Sequence, residues 1–191
     1  MIREPAWHAL GGLDAQLFLA INHAGQGWLW DRLALLGTFF GNHVAYPFYA
    51  AAALALALRR PAWLKTGAVL TFLVGYLLEW GLVGALKVWL NVPRPLAVLG
   101  APQVRVLGAP EYWHSFPSGH TAFAWLLLAA LWGGANGALR ALLVVFALWV
   151  AWARIAVGAH FPVDVVGGAL CGVLAAWLAA RLLDLLGARR G

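Results

Sequence analysis

The segment EYWHSFPSGHTAFAW, residues 111–125, places a Pro-Ser-Gly-His turn (117–120) directly before a long apolar run. Ser118 is a residue type that favours the N-cap of a helix, so a helix is predicted to begin at this turn. A helix N-terminus presents unpaired N–H groups and the positive end of the helix dipole, which together favour a bound anion. Gly119 would let a ligand approach the backbone closely, and His120 would lie beside it in the first turn. The segment therefore predicts an anion site at the end of an apolar helix.

The composition around this segment is that of a membrane protein. Of the 191 residues, 63% are hydrophobic and 10% are charged, whereas soluble domains carry roughly 25% charged residues. Five apolar stretches are predicted to span a bilayer; they lie at about residues 43–58, 63–90, 119–134, 138–156 and 162–186. Their connections are short. We therefore predict an all-α polytopic membrane helix bundle, formed as one integral-membrane domain over residues 1–191 with a transmembrane core at 43–186.

The N-terminal stretch, residues 12–40, has a helical pattern but too many polar residues for a clean span. We interpret it as an amphipathic entry segment at the membrane interface. A sixth crossing is the alternative, so five to six transmembrane helices are predicted. Residues 1–10 contain Arg3, Glu4 and Pro5 and lack an apolar core, and no cleavable signal peptide is predicted there.

Lysine and arginine positions predict the orientation of the bundle. If the spans alternate, one side receives a set of basic residues and is predicted to be cytoplasmic: Arg59, Arg60, Lys65, Arg140, Arg181, Arg189 and Arg190. The opposite side receives polar residues that topology alone does not explain: Lys87, Arg94, Arg105, Glu111, His114, Ser118, His120, Arg154, His160 and Asp164. We therefore expect a functional site at the outer face of the membrane.

Two further clusters accompany the Pro-Ser-Gly-His turn on this side. In KVWLNVPRP (87–95), Lys87 ends a long helix and the prolines force the chain around Arg94 to be extended. In ARIAVGAHFPVD (153–164), Arg154 closes a helix and His160 stands four positions before Asp164. That carboxylate can accept a hydrogen bond from the imidazole Nδ1–H, which leaves Nε2 with its lone pair.

Each cluster taken singly has a simpler interpretation, as snorkelling cations, a helix cap or a packed histidine. Together they supply three cations, a helix N-terminus and two histidines, which is what phosphoryl chemistry requires. Cations and N–H groups can hold phosphate oxygens and stabilise developing charge. One histidine can attack phosphorus while the other protonates the leaving oxygen.

The three clusters resemble the signature of the type 2 phosphatidic acid phosphatase (PAP2) superfamily, and the chain is similar to its small bacterial integral-membrane lipid phosphatases. That signature is Lys-x6-Arg-Pro, Pro-Ser-Gly-His and Ser-Arg-x5-His-x3-Asp. The matching residues are Lys87, Arg94, Pro95, Pro117, Ser118, Gly119, His120, Arg154, His160 and Asp164. The likeness covers about residues 33–186. One position departs from the signature, since Ala153 replaces its serine and removes a hydroxyl near Arg154.

The resemblance implies a role for each matching residue. His160 would be the nucleophile and form a phosphohistidine, Asp164 would orient it, and His120 would be the general acid. The phosphate would be held by Lys87, Arg94, Ser118, Gly119 and Arg154. The family's reaction needs no metal, so neither a metal nor a cofactor is expected.

Several other residues have more than one interpretation at this stage. Glu79 lies inside the second predicted span. It is either a helix-packing or charge-balancing residue, or it contacts the residues that bind the substrate. His114 either touches a lipid headgroup or is an ordinary loop residue. Small residues, Gly84, Gly168 and Gly172 among them, are expected to allow close helix packing.

These features predict a membrane lipid phosphatase whose substrate keeps its tail in the bilayer. Undecaprenyl diphosphate is the favoured substrate, because the compact chain is similar to small bacterial members with that activity. Phosphatidylglycerophosphate, phosphatidate and lipid A 1-phosphate are alternatives, as are a lipid phosphotransferase using the same site and a non-enzymatic lipid-binding protein. The predicted location is the bacterial inner (plasma) membrane, with the site facing the periplasm or cell exterior. The expected partners are the bilayer and its lipid, with no nucleic acid and no obligate protein partner.

Overall fold

The computed structural model describes residues 12–188, and their regular structure is helical. The eight α-helices are α1 (Leu13–His23), α2 (Trp28–Phe40), α3 (Tyr46–Arg59), α4 (Thr66–Leu90), α5 (Pro95–Leu99), α6 (Gly119–Trp132), α7 (Gly137–Ala156) and α8 (Pro162–Leu185). A 3₁₀ turn, His43–Ala45, leads into α3. The predicted all-α class is confirmed. The expectations for residues 1–10, Arg189 and Arg190 fall outside the described residues.

The long helices give the chain the character of a membrane helix bundle. Within residues 12–188, three stretches are long and apolar enough to cross a bilayer, namely Thr66–Leu99, Gly137–Ala156 and Pro162–Leu185. α6 is apolar but shorter, and α3 has 14 residues. These five helices correspond to the five predicted spans, and the number of crossings stays a prediction for the two short ones.

The N-terminal segment forms two helices instead of one. α1 and α2 are separated by a break in which Gly25 and Gly27 have φ angles of 64° and 139°, a backbone conformation that glycine adopts without strain. Both helices pack at the end of the bundle where α7 ends and α8 begins. Phe18 of α1 lies 5.3 Å from Phe161 between ring centroids, and the Trp149 indole donates a hydrogen bond to the Leu33 carbonyl of α2. Whether this segment lies at the membrane interface or crosses the bilayer stays a prediction.

The two basic connections lie together at the opposite end of the bundle. The amide of Lys65 donates to the carbonyl of Gly134 at 3.0 Å, and the amide of Asn136 donates to the carbonyl of Trp63 at 2.9 Å. The α3–α4 and α6–α7 connections are therefore neighbours, as the alternation of spans requires. The polar clusters and the basic connections occupy opposite ends of the molecule.

Close contact between α6 and α8 fixes the start of α6. A Cβ atom on Gly168 would collide with the carbonyl oxygen of Ser118, and one on Gly172 with that of Ala122. Any larger residue would push the two helices apart, so the predicted packing role is confirmed at these positions. For Gly84 the prediction is wrong, because a Cβ there would meet nothing within 4 Å.

The long connection between α4 and α6 is held over the end of the bundle by Asn22. Its side-chain amide donates to the carbonyls of Arg105 and Ala156 at 2.8 and 3.0 Å, and its oxygen accepts from the Arg105 amide at 2.9 Å. The Arg105 guanidinium also forms an ion pair with Asp31 of α2. α1 and α2 therefore hold in place the connection that leads to the Pro-Ser-Gly-His turn.

Candidate active site

The predicted site residues meet at the end of the bundle that faces α1 and α2. The amide of Ser118, before α6, donates to the carbonyl of Asp164 in the first turn of α8 at 2.9 Å. The Lys87 ammonium, near the end of α4, donates to the carbonyl of His114 at 2.6 Å. His160 follows α7 directly, and its amide donates to the carbonyl of Arg154 at 3.2 Å. The three sequence clusters therefore form one site.

Arg94 joins the first cluster to the third. Its backbone amide donates to the carbonyl of Tyr112 at 2.8 Å. Its Nε donates to the carbonyl of Trp113 at 2.9 Å, and its Nη1 donates to that of Ala159 at 3.1 Å. The same Nη1 lies 3.4 Å from Nε2 of His160. The guanidinium is thereby aimed at the ring nitrogen that the sequence predicts to be the nucleophile.

On its Nδ1 side, the His160 ring lies next to a carboxylate and a hydroxyl. Oδ2 of Asp164 lies 3.5 Å from Nδ1 of His160, and Oγ of Ser115 lies 3.4 Å from the same nitrogen. Ser115 donates to Oδ2 at 2.6 Å, and the Phe161 amide donates to it at 2.9 Å. His160 and Asp164 are both buried. One carboxylate oxygen thus caps the first turn of α8 and faces the imidazole.

The environment of His160 favours its neutral form. Burial lowers the pKa of His160 well below its ordinary value, and the nearby cations of Arg94, Arg154 and Lys87 lower that pKa further. A neutral imidazole keeps a lone pair on one ring nitrogen. With Nδ1 facing the carboxylate, that lone pair falls on Nε2, which faces Arg94.

A cavity of about 240 Å³ opens beside these groups. Its polar lining is Thr38, Glu111, His120 and Arg154, and its apolar lining includes Leu35, Leu96 and Val106. Nη1 of Arg154 donates to Oγ1 of Thr38 at 3.2 Å. The Glu111 carboxylate lies 2.7 Å from Nη1 of Arg94 and 3.8 Å from Nη2 of Arg154. The cavity therefore places the second histidine together with Arg154, Glu111 and an apolar wall.

The Pro-Ser-Gly-His turn begins α6 as predicted, but the side chain of Ser118 does not cap the helix. Ser118 stands at the N-cap position without a side-chain hydrogen bond to the first turn, and its Oγ accepts from Oγ1 of Thr121 at 3.0 Å. A Cβ on Gly119 would lie 3.9 Å from Lys87, an ordinary contact. The Ser118 hydroxyl therefore does not compete for the first N–H groups of α6, which a helix N-terminus can offer to an anion.

The structure also gives the positions of Glu79, His114 and Ala153. Glu79 is buried, and with Lys87 and Gly119 it lines a second cavity of about 140 Å³. Nδ1 of His114 lies 3.0 Å from the carbonyl oxygen of Lys87, and the His114 carbonyl accepts the hydrogen bond from the Lys87 ammonium. His114 therefore contacts Lys87 through both its ring and its backbone. Ala153 is fully buried and faces Gly37 of α2. The residue at the signature's serine position thus serves the contact between two helices.

Comparison with known proteins assigns the fold and the motifs to one family. The family model of the PAP2 superfamily matches residues 68–187, which include every candidate site residue. This chain belongs to the PAP2 superfamily.

Solved structures share this architecture. The crystal structure of Aquifex aeolicus LpxE superposes with a TM-score of 0.74 and 32% identity, covering 88% of this chain and 95% of that one. A transmembrane PAP2 type phosphatidylglycerolphosphate phosphatase from Bacillus subtilis superposes with a TM-score of 0.70 at 23% identity, covering 93% of this chain and 88% of that one. The second likeness shows the shared fold alone.

Curated Escherichia coli proteins match a shorter part of this PAP2 chain. "Putative undecaprenyl-diphosphatase YbjG" is 39% identical over 66 residues, 31% of this chain and 30% of that protein. Phosphatidylglycerophosphatase B is 41% identical over 76 residues, 36% of this chain and 30% of that protein. This chain therefore matches less than a third of the length of either relative.

The PAP2 motifs do not account for every polar group at the site. Ser115, Glu111 as a partner of two arginines, and Thr38 were all missed by sequence reasoning. Ser115 lies only three positions before Ser118, and this closeness was the one available signal. Thr38 gave none, because α2 carries no PAP2 motif and reaches Arg154 only through tertiary packing.

Proposed function

We propose that this PAP2 protein is a membrane lipid phosphatase that works through a phosphohistidine on His160. One observation carries the proposal: the buried imidazole lies between Asp164 on its Nδ1 side and Arg94 on its Nε2 side. Such an arrangement activates a nitrogen nucleophile and places a cation where the phosphate must approach. The cavity beside it supplies His120 and Arg154.

In the proposed first step, Nε2 of His160 attacks phosphorus and the bond from phosphorus to the leaving oxygen breaks. His120 gives its proton to that oxygen, and Asp164 stabilises the developing imidazolium charge through Nδ1. In the second step, His120 takes a proton from a water molecule whose oxygen attacks phosphorus. The phosphorus–nitrogen bond then breaks, and orthophosphate and free His160 are released.

The remaining residues are proposed to hold the phosphoryl group without reacting. Lys87, Arg94 and Arg154 would neutralise its oxygens, and the first turn of α6 at Ser118 and Gly119 would donate N–H groups. Glu79 and His114 are proposed to support Lys87. The apolar lining of the cavity by Leu35 and Leu96 suits the part of a lipid next to its headgroup. The substrate would then reach the site from the bilayer.

Undecaprenyl diphosphate is the proposed substrate, supported by the local match to an Escherichia coli protein with that activity in its name. Phosphatidylglycerophosphate, phosphatidate, lipid A 1-phosphate and transfer to an acceptor lipid are the competing proposals. We further propose that residues 1–191 form one domain in the bacterial inner membrane, with the site at the periplasmic or outer face. The basic connections at the opposite end of the bundle support this orientation.

The assay that tests this function uses purified protein in detergent micelles with a panel of phosphate-labelled lipids. Release of labelled orthophosphate is expected, with the highest kcat/KM on undecaprenyl diphosphate. Label that appears in an acceptor lipid instead would favour transfer. Absence of turnover on every phospholipid and polyprenyl diphosphate tested would contradict the proposal.

Chelation is expected to leave this activity unchanged. The proposed transition state is stabilised by three cationic side chains instead of a metal ion, so excess EDTA removes nothing that the reaction uses. The measurement is the initial rate of phosphate release with and without EDTA. Strong inhibition that a divalent cation then reverses would show that the mechanism is wrong.

The pH dependence should reflect the lowered pKa of His160. A lowered pKa means that His160 is neutral, and able to attack, until the pH falls through that low value. Because kcat/KM reports groups of the free enzyme, its acid limb is expected well below the ordinary pKa of an imidazole, about 6.5. The measurement is kcat/KM against pH. An acid limb near the ordinary imidazole value that stays the same for substrates whose phosphate groups differ in pKa would contradict the proposed environment of His160.

A further inference from the structure

Glu111 occupies the position that the phosphate is proposed to take. Its carboxylate lies 2.7 Å from Nη1 of Arg94 and 3.8 Å from Nη2 of Arg154. The same Nη1 lies 3.4 Å from Nε2 of His160, the proposed attacking atom. Carboxylate and phosphate oxygens both accept charge-assisted hydrogen bonds from guanidinium groups, and here a single oxygen, Oε2 of Glu111, lies near both arginines. One protein carboxylate thus holds the two cations that the substrate would need.

The two arginines and the glutamate differ in their freedom to move. The side chains of Arg94 and Arg154 are 9% and 6% exposed, whereas that of Glu111 is 50% exposed. The backbone beside Glu111 is fixed, because the carbonyls of Tyr112 and Trp113 accept hydrogen bonds from Arg94. The Glu111 side chain can therefore swing into solvent by rotation of its own bonds, while both guanidinium groups stay in place.

We propose that Glu111 is an internal competitor for the phosphate site, an inference that rests on the proposed function. Without substrate, its carboxylate pairs with these two buried cations, whose charge is costly to bury without a nearby anion. Substrate binding displaces it. After hydrolysis its return to the arginines displaces orthophosphate. Glu111 therefore sets the affinity of the enzyme for phosphate and limits product inhibition.

This proposal predicts whether removing the charge of Glu111 strengthens or weakens the binding of orthophosphate. Glu111→Gln keeps the size of the side chain but competes as a neutral amide instead of an anion. Binding of orthophosphate is expected to become about tenfold tighter, an effect that stays modest because Glu111 is half-exposed and screened by water. Inhibition of lipid hydrolysis by orthophosphate should strengthen by the same factor. A scaffold role for Glu111 predicts the reverse, since misplaced arginines would bind phosphate more weakly.

The test titrates purified wild-type and E111Q protein with orthophosphate by calorimetry, without lipid. Asp184→Asn is the matched control, because it also removes one carboxylate but lies exposed near the C-terminal end of α8, away from the site. Unchanged binding in D184N and tighter binding in E111Q support the proposal. Unchanged or weaker binding in E111Q overturns it.

A second variant separates competition from the effects of altered packing. Glu111→Ala also removes the carboxylate, so it should tighten phosphate binding in the same direction as E111Q. If E111A tightens binding and E111Q does not, the effect comes from side-chain size and the proposal is wrong. Because these titrations need no turnover, they remain informative if every lipid in the panel proves inert. That outcome would contradict the proposed function instead.

Discussion

Replacing His160 with asparagine is expected to reduce phosphate release from the lipid by about 10⁴-fold or more, because the attacking nitrogen is removed. Asparagine keeps a polar group at the position of Nδ1, beside Asp164 and Ser115, and so limits the structural disturbance around the buried site while removing Nε2. Substrate binding should persist, since the three cations remain. The measurement is the initial rate of orthophosphate release, with kcat and KM determined separately.

The same variant also tests the covalent intermediate. Acid-sensitive, base-stable labelling of the wild-type chain by phosphate-labelled substrate is expected after rapid quenching, and none in H160N. His23→Asn is the matched control, because this histidine of α1 is exposed and lies at the same end of the molecule, with its Nε2 3.1 Å from the carbonyl oxygen of Gln103. H23N should label and turn over as the wild type does. Labelling that survives in H160N would place the nucleophile elsewhere.

The sequence predicted the convergence of the three clusters because each is tied to a helix end. Lys87 closes α4, His120 opens α6, Arg154 closes α7 and Asp164 opens α8. In a bundle of alternating spans, these ends must fall on one side of the membrane. Helix periodicity and apolar length were therefore enough to place the site, even though they gave no distances.

Contacts that depend on tertiary packing could not be predicted in this way. Thr38 reaches Arg154 because α2 crosses α7, and nothing in the local sequence encodes that crossing. The break between α1 and α2 was hidden by a helical pattern that continues on both sides of it, although Gly25 and Gly27 stand within it. At Gly84 the sequence pattern predicted a packing contact that the structure does not show, since a small residue on an apolar helix can face open space.

The roles of the Ser115 hydroxyl and the Glu111 carboxylate could not be predicted from the sequence either. Ser115 and Glu111 lie in an irregular connection, where no periodicity relates sequence position to direction. Two hydrogen bonds set their directions: Arg94 donates to the Trp113 carbonyl, and Ser115 donates to the Asp164 carboxylate. A sequence pattern could place this connection near the site, but only coordinates show which side chain faces His160 and which faces the arginines.

Replacing His120 with glutamine is expected to slow hydrolysis of a phosphomonoester lipid by about 10³-fold, within the range of general acid catalysis. An alkoxide is a poor leaving group, so the proton from His120 is needed when the bond to phosphorus breaks. The loss should be far smaller for p-nitrophenyl phosphate, whose phenolate leaves without a proton. It should also be smaller for a polyprenyl diphosphate, because the departing lipid phosphate is a stable anion with a second pKa of about 6.

The comparison across leaving groups is therefore more decisive than any single rate. Measured as kcat/KM, which reports the step in which the leaving group departs and not the later hydrolysis of the phosphohistidine, the ratio of wild type to H120Q on phosphatidate, undecaprenyl diphosphate and p-nitrophenyl phosphate should fall in the order of leaving-group basicity. Equal losses on all three would show that His120 holds the phosphate instead of protonating the leaving oxygen. Because His120 lines the cavity with Arg154, Arg154→Gln supplies the contrast: a residue that binds phosphate oxygens should slow all three substrates alike. A small loss on the diphosphate in H120Q, set beside a uniform loss in R154Q, would assign proton transfer to one side chain and charge stabilisation to the other.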